Sequence, residues 1–248
     1  MVEGWLPGKG PRRRVTVERC LGVSGELALV RAGRRNYEII ANGAFLMATY
    51  NRSSERALAG LALAALWETR PRELGAKVLI GGLGVGETLR AALDDSRVES
   101  VVVCELEPAV VRWNADHFPR SARVMADPRV TVLVGDVFAH LRGLAGRSLD
   151  AGRPQPEPYD IFLADTDNGP DWLVRPENHV LYGRRGLGCA LACLTPGGVA
   201  AFWSSAEAGW FADNLLSVGF EDVKGIPVRR GASQPDIVYV ARRPACQK

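Results

Sequence analysis

Histidine and cysteine are scarce: three histidines and five cysteines occur in 248 residues, and no two cysteines stand in a CxxC spacing. Structural zinc sites and disulfide frameworks need clustered pairs, so no metal is expected, and an odd number of cysteines suits a reducing compartment. Cys189 and Cys193, one helical turn apart, read as core packing. Long apolar runs are lacking too, since none reaches the roughly 18 residues of a spanning helix. Residues 1–14 carry arginines but no apolar stretch leading to a small-residue cleavage site, so the expectation is a cytoplasmic protein with no membrane partner. Charge of one sign is also missing, with 31 basic residues against 28 acidic ones. The basic residues are scattered in pairs such as Arg34-Arg35, Arg184-Arg185 and Arg229-Arg230, and form no stripe for nucleic acid. Arg12-Arg13-Arg14 reads as a solvated strand entrance.

What is present is the composition of a globular domain, 47% apolar and 24% charged, at a length that fits one large α/β core without a long linker. Residues 1–50 read as a small antiparallel β-layer. RRRVTVERC, ELALVRA, NYEIIA and AFLMATY cluster β-formers, separated by Gly22 to Gly25, Gly33 and the Asn42-Gly43 hairpin signal. Asn51 or Ser53 then caps a helix through ERALAGLALAALWE, which Pro71 ends.

From residue 51 to 248 the chain reads as one Rossmann-like domain. Short apolar runs of β-formers (VLIGG, VESVVVCE, RVTVLVGD, YDIFLAD, GVAAFWS) alternate with helical stretches, which implies a mostly parallel, doubly covered sheet. HVLYGRRGLGCALACL reads as a single helix, and FEDVKGIPV and DIVYVARR supply an antiparallel edge, seven strands in all. Residues 146–158, with three prolines and two glycines, read as a surface loop.

The strongest constellation is VLIGGLGVGETLR, where a strand runs into Gly82, Gly84 and Gly86 and straight on into a helix. Glycines permit the tight turn and let a ligand approach backbone amides at a helix N-terminus. About twenty residues on, the second strand ends at Glu105, placed to accept hydrogen bonds from both hydroxyls of a ribose. The third strand ends at Asp136, placed to accept from an adenine amino group, and the three strand ends together describe an adenosyl pocket. The fourth strand delivers Asp165 to the same edge, followed by Asp167, where carboxylates favour a cationic guest and Asp165 can deprotonate an incoming amine. Both aspartates also suit the plainer task of capping a loop through Asx-turns. Trp172 and Tyr182 follow and are candidates to line a cation pocket with their ring faces, packing being the alternative.

These segments resemble the polyamine aminopropyltransferases, the spermidine and spermine synthases. That family's glycine-rich turn, E-I-D-like tripeptide, G-D strand end and D-S-S-D-P-like loop resemble Gly82 to Gly86, Glu105-Leu106-Glu107, Gly135-Asp136 and Asp165-Thr166-Asp167-Asn168. DPRVTVLVGD and LTPGGVAAFW are similar to family segments as well, and the resemblance covers roughly residues 36–205. It implies a class I S-adenosylmethionine-type Rossmann fold with a small β-domain before it. It further implies Glu105 on ribose, Asp136 on adenine and Asp165 as the base, with S-adenosylmethionine or its decarboxylated form as co-substrate. A small-molecule amine is then the acceptor, and the N-terminal strands with the helix from Glu55 to Glu68 are candidates for a homodimer interface, packing of that helix on the sheet being the alternative. The sequence departs from the pattern at Val85, where the family has an acidic residue in the turn. The family's polyamine-binding D-G-x-x-Q and D-E-x-x-Y-x-E segment is only faintly echoed by Asn42-Gly43 and by NRSSERA at 51–57, and its glutamine, tyrosine and glutamate are missing. Two alternatives stand beside aminopropyl transfer: an S-adenosylmethionine-dependent methyltransferase on the same scaffold, and a nucleoside-binding protein without catalysis. A methyl donor carries a carboxylate that needs a cation or backbone amides to meet it, and the Gly82 to Gly86 amides are the candidates.

Overall fold

The computed structural model of the protein describes residues 14–50, 53–71, 73–147, 157–229 and 234–245. Arg12, Arg13 and Asn51 fall outside these residues, as does most of the proline-rich segment.

Four strands come first: β1 (Arg14–Gly22), β2 (Gly25–Ala32), β3 (Tyr37–Ala41) and β4 (Ala44–Ala48), paired antiparallel in sequence order. The β3–β4 hairpin turns on Asn42 and Gly43, both at positive φ, the conformation that the Asn-Gly pair accepts at least cost. Helix α1 (Ser53–Trp67) follows and ends four residues before Pro71, so the proline lies beyond the helix rather than terminating it.

The second sheet is built from β5 (Ala76–Gly81), α2 (Glu87–Leu93), β6 (Val98–Glu105), α3 (Pro108–His117), α4 (Pro119–Met125), β7 (Val130–Val134), α5 (Val137–Arg147) and β8 (Tyr159–Ala164). It is completed by a 3-10 turn at Pro176–Asn178, α6 (His179–Tyr182), α7 (Arg184–Cys193), β9 (Leu194–Ser204), α8 (Gly209–Val218), β10 (Glu221–Val228) and β11 (Asp236–Arg242). The strand order is β10-β11-β9-β8-β5-β6-β7, parallel from β9 to β7 and antiparallel at β11 and β10. The expected seven-stranded, mostly parallel sheet with an antiparallel edge is therefore present.

Two helical details differ from the sequence reading. The stretch expected as one helix is broken at Gly183, whose extended backbone separates α6 from α7. A further short helix, α4, starts at Pro119, because proline suits a first helical turn but ends the α3 ladder before it.

Both faces of the large sheet are covered, as its continuous apolar strands require. Val78, Ile80, Val101, Val103 and Ile161 pack against Leu58, Leu63 and Leu66 of α1 and Leu89 of α2. Leu79, Phe162, Ala200 and Phe202 pack on the other face against Leu141, Leu187, Phe211 and Leu215. The small sheet has its own contact with the large unit, where Leu27, Leu29 and Ile39 meet Val110, Trp113 and Phe118. Among the described residues no helix is long and apolar enough to cross a membrane.

Strand β5 has β6 on one side and β8 on the other, so the chain leaves it in one direction and returns across it in the other. A crevice opens at such a switch point, outside the carboxyl ends of the strands.

Candidate active site

The glycine turn after β5 and Asp165 after β8 stand on the two sides of that switch point. The Asp165 N–H donates to the Gly81 carbonyl at 2.8 Å, and a Cβ on Gly82 would collide with the Asp165 carbonyl oxygen. Gly82, Gly84 and Gly86 have φ of 93°, 55° and 80°, a region that residues with a Cβ enter only at a cost. The turn therefore demands all three glycines, and close neighbours add to the demand: the chain leaving β8 at Gly82, Met47 at Gly84 and Ser121 at Gly86.

Glu105, at the end of β6, is buried and holds the turn from below. Its carboxylate accepts from the Leu83 N–H at 2.8 Å and the Glu107 N–H at 2.9 Å. Burial pushes its carboxyl up, and these amides hold it down. An ionised carboxylate has about four acceptor positions, and with the Gly84 amide as a third backbone donor about one is left for a ribose hydroxyl. Asp136 ends the next strand and caps α5, accepting from Phe138 N–H at 2.7 Å and Ala139 N–H at 3.4 Å, while Arg175 lies 3.5 Å from its other oxygen.

Gly82, Gly84, Glu105, Asp136, Asp165 and Asp167 all line one cavity, closed on its apolar side by Leu46 and Met47 of β4. A second cavity adjoins it and shares Met47, Gly84 and Asp165. Asp165 thus stands at the seam of two cavities. Thr88 Oγ1, in the first turn of α2, donates to Asp165 Oδ2 at 2.6 Å. Desolvation pushes the Asp165 carboxyl up from the usual 3.8 to about 6, against the lowering effect of Thr88.

Glu55 and Glu87 also line the second cavity, and among its described lining residues there is no cation. These two glutamates, together with Thr88 and Arg175, are absent from the sequence reading. They sit on helix starts and a loop, and the strand-end pattern that exposes Glu105, Asp136 and Asp165 does not reach them. The position of Thr88, two residues past the last turn glycine, is the one signal that marks it.

Three residues read as candidates for the amine pocket are placed differently. Asp167, 7% exposed, has its carboxylate filled by its own loop, accepting from Asn168 N–H (2.9 Å), Val174 N–H (2.6 Å), Arg175 N–H (3.3 Å) and Asn178 Nδ2 (3.0 Å). It borders the cavities as a loop organiser. Trp172 is 63% exposed and lines neither cavity, because the loop after Gly169 turns it outward. Tyr182 is 1% exposed and edge-on to Phe211 at 5.7 Å, so it belongs to the core. Its hydroxyl lies 3.4 Å from Thr166 Oγ1 and supports that residue from behind.

The Spermine/spermidine synthase domain family matches residues 57–212. Over 140 residues the chain is 40% identical to spermidine synthase 1 of Pisum sativum, covering 56% of this chain and 37% of that protein. It is 30% identical over 149 residues to the polyamine aminopropyltransferase of Leptospira biflexa, covering 60% of this chain and 47% of that one. The matched stretch thus spans about half the length of these curated relatives or less. Among solved structures, spermidine synthase from Thermotoga maritima superposes with a TM-score of 0.69 at 15% identity, covering 92% of this chain and 72% of that one. That likeness carries the fold.

Proposed function

The chain belongs to the spermine/spermidine synthase domain family, and from that premise we propose that it transfers an aminopropyl group from decarboxylated S-adenosylmethionine to a small-molecule amine. The observation that carries this reading is Asp165 at the seam of the two cavities, desolvated and without a cationic partner among the described residues. The first cavity takes the adenosyl end of the donor, with Glu105 accepting from a ribose hydroxyl and Asp136 from the adenine amino group. The second takes the acceptor amine. Asp165 accepts the proton that the amine nitrogen sheds as its lone pair forms the new N–C bond and the C–S pair returns to sulfur, leaving the neutral thioether 5′-methylthioadenosine. The remaining contribution of the chain is orientation. Leu46 and Met47, which line both cavities, wall the junction where the two reacting groups meet and keep water from competing.

The decarboxylated donor is favoured over S-adenosylmethionine by where the turn amides point. Gly82 N–H donates to the Cys104 carbonyl, Gly86 N–H to the Leu83 carbonyl and Leu83 N–H to Glu105, so three of the candidate amides are already engaged. Arg175 is the one cation among the described residues that line the cavities, and it lies at the Asp136 end. A methionine carboxylate near Asp165 would meet carboxylates and no cation among the described lining residues of that cavity, at a cost of several kcal/mol.

Calorimetric titration with the two donors tests this. The decarboxylated form is expected to bind at least about tenfold tighter, the equivalent of 1.4 kcal/mol. Transfer to a panel of amines, followed by mass spectrometry, should be lost in Asp165→Asn while donor affinity holds. Tighter binding of S-adenosylmethionine, with methylated amine as product, would replace this reading by methyl transfer.

A further inference from the structure

A third cavity lies beyond Val85 and Glu87, with an open volume of about 590 Å³ against about 100 Å³ for the adenosyl cavity. That is the size range of small-ligand pockets. Three arginines line it: Arg34 and Arg35 from the β2–β3 turn, and Arg120 from the start of α4. Among the described residues none of the three forms an ion pair. The single carboxylate in the lining, Glu87, is held by Arg90 through Nε at 3.2 Å and Nη2 at 3.1 Å. Three arginines therefore border one space in which Glu87 is the single carboxylate among the described lining residues.

Aromatic rings line the same cavity. The Tyr37 ring lies 5.7 Å from that of His117 and 5.4 Å from that of Phe118, and its backbone is tied to Thr49 by bonds of 2.9 and 3.0 Å. At the inner end sits Ser121, 2% exposed, whose buried hydroxyl has no hydrogen-bond partner among the described residues and lies against Gly86. A buried polar group in that condition is costly unless something meets it. Guanidinium forks match phosphate oxygens bidentately, and a flat heterocycle suits a wall of rings.

We propose that this cavity binds a nucleoside polyphosphate, with its phosphates on Arg34, Arg35 and Arg120 and its base against Tyr37 and His117. The site is independent of the transfer reaction proposed above. It shares Val85 and Glu87 with the acceptor cavity, so the two spaces have a common wall.

The test is calorimetric titration of the full chain with ATP, tripolyphosphate and adenosine. ATP should bind saturably, one per chain, and more tightly than either fragment. The double variant R34A/R120A alters two exposed side chains and should melt at the same temperature as the parent, while its ATP affinity falls at least about tenfold, the loss expected for two charged hydrogen-bonding partners. Tyr37→Leu should weaken ATP but leave tripolyphosphate binding unchanged. Absence of saturable ATP binding, or an affinity unmoved by R34A/R120A, overturns the site. Tripolyphosphate binding as tightly as ATP overturns the base-stacking half of it.

Discussion

Asp165→Asn should make the protein more stable and less active at once. In the folded chain burial raises the Asp165 carboxyl from the usual 3.8 to about 6. A raised carboxyl means that the folded state holds its proton more tightly than the unfolded state does. Its contribution is therefore intact below the unfolded value and is lost as pH rises through the folded one. At about 1.4 kcal/mol for each pH unit between the two values, ionisation of Asp165 destabilises the fold by up to about 3 kcal/mol at pH 8. Asparagine carries no charge to desolvate and can still accept the Thr88 hydroxyl, so the variant should regain most of this. For a chain of this size that corresponds to a rise in melting temperature of up to about 10 °C. Differential scanning calorimetry of parent and variant should show the gap at pH 8 and its near disappearance at pH 4, where the parent carboxyl is protonated. Loss of the general base should lower the transfer rate about 10²–10⁴-fold over the same plateau. A gap of equal size at both pH values, or a variant that melts lower at pH 8, would refute the assignment of a desolvated, chargeable Asp165.

Four further outcomes are expected. Thr88→Val removes the donor that holds the Asp165 carboxyl down, so the acidic limb of kcat/KM should move to higher pH while the alkaline plateau is kept; an unmoved limb would deny Thr88 that role. Gly82→Ala places a Cβ against the Asp165 carbonyl at a positive φ and should cost about 2–3 kcal/mol in denaturant unfolding as well as donor affinity. Glu55→Gln should raise KM for the amine severalfold with donor affinity unchanged, since it removes one of the carboxylates facing the acceptor cavity. Glu107→Gln leaves one amide of the β1–β2 turn facing an NH₂ group, at a cost of about 1–3 kcal/mol. Hydrogen exchange at Val23 and Ser24 should then accelerate; unchanged protection there would show that the turn is held by something else.

The parts of the site that sequence alone exposes are those that parallel strands determine. Glu105, Asp136 and Asp165 each follow a run of β-formers, and in a parallel sheet all such ends emerge on one edge. Their convergence follows from strand direction and needs no knowledge of packing. Thr88, Glu55 and Glu87 lie on helices, where the direction of a side chain depends on how the helix is docked, and only the folded chain shows it. Tyr182, on the short helix α6, is likewise placed by how its helix docks against Phe211, and Trp172 by its loop. In the loop after β8 no periodicity constrains the backbone, and the carboxylate of Asp167 gathers four donors that turn Trp172 to solvent. The strand order also lies beyond local pattern, although the right-handed crossovers of α/β units narrow the choices.

The β1–β2 turn is tied to the large unit by one carboxylate, with Val23 N–H and Ser24 N–H donating to Glu107 at 2.9 and 2.7 Å across 84 and 83 residues of chain. This gives assembly an order. A hairpin with local pairing can form within microseconds, but its anchor arrives only when the second strand of the large sheet is complete and α3 has begun. During synthesis at about 5–20 residues per second the small sheet therefore waits several seconds or more for its partner. Until then its inward side chains, Leu27, Leu29 and Ile39, stand uncovered. The same residue that opens α3 thus sets the moment at which the N-terminal sheet ceases to be separate and exposed and becomes a wall of the cavity that Glu105 and Asp136 line.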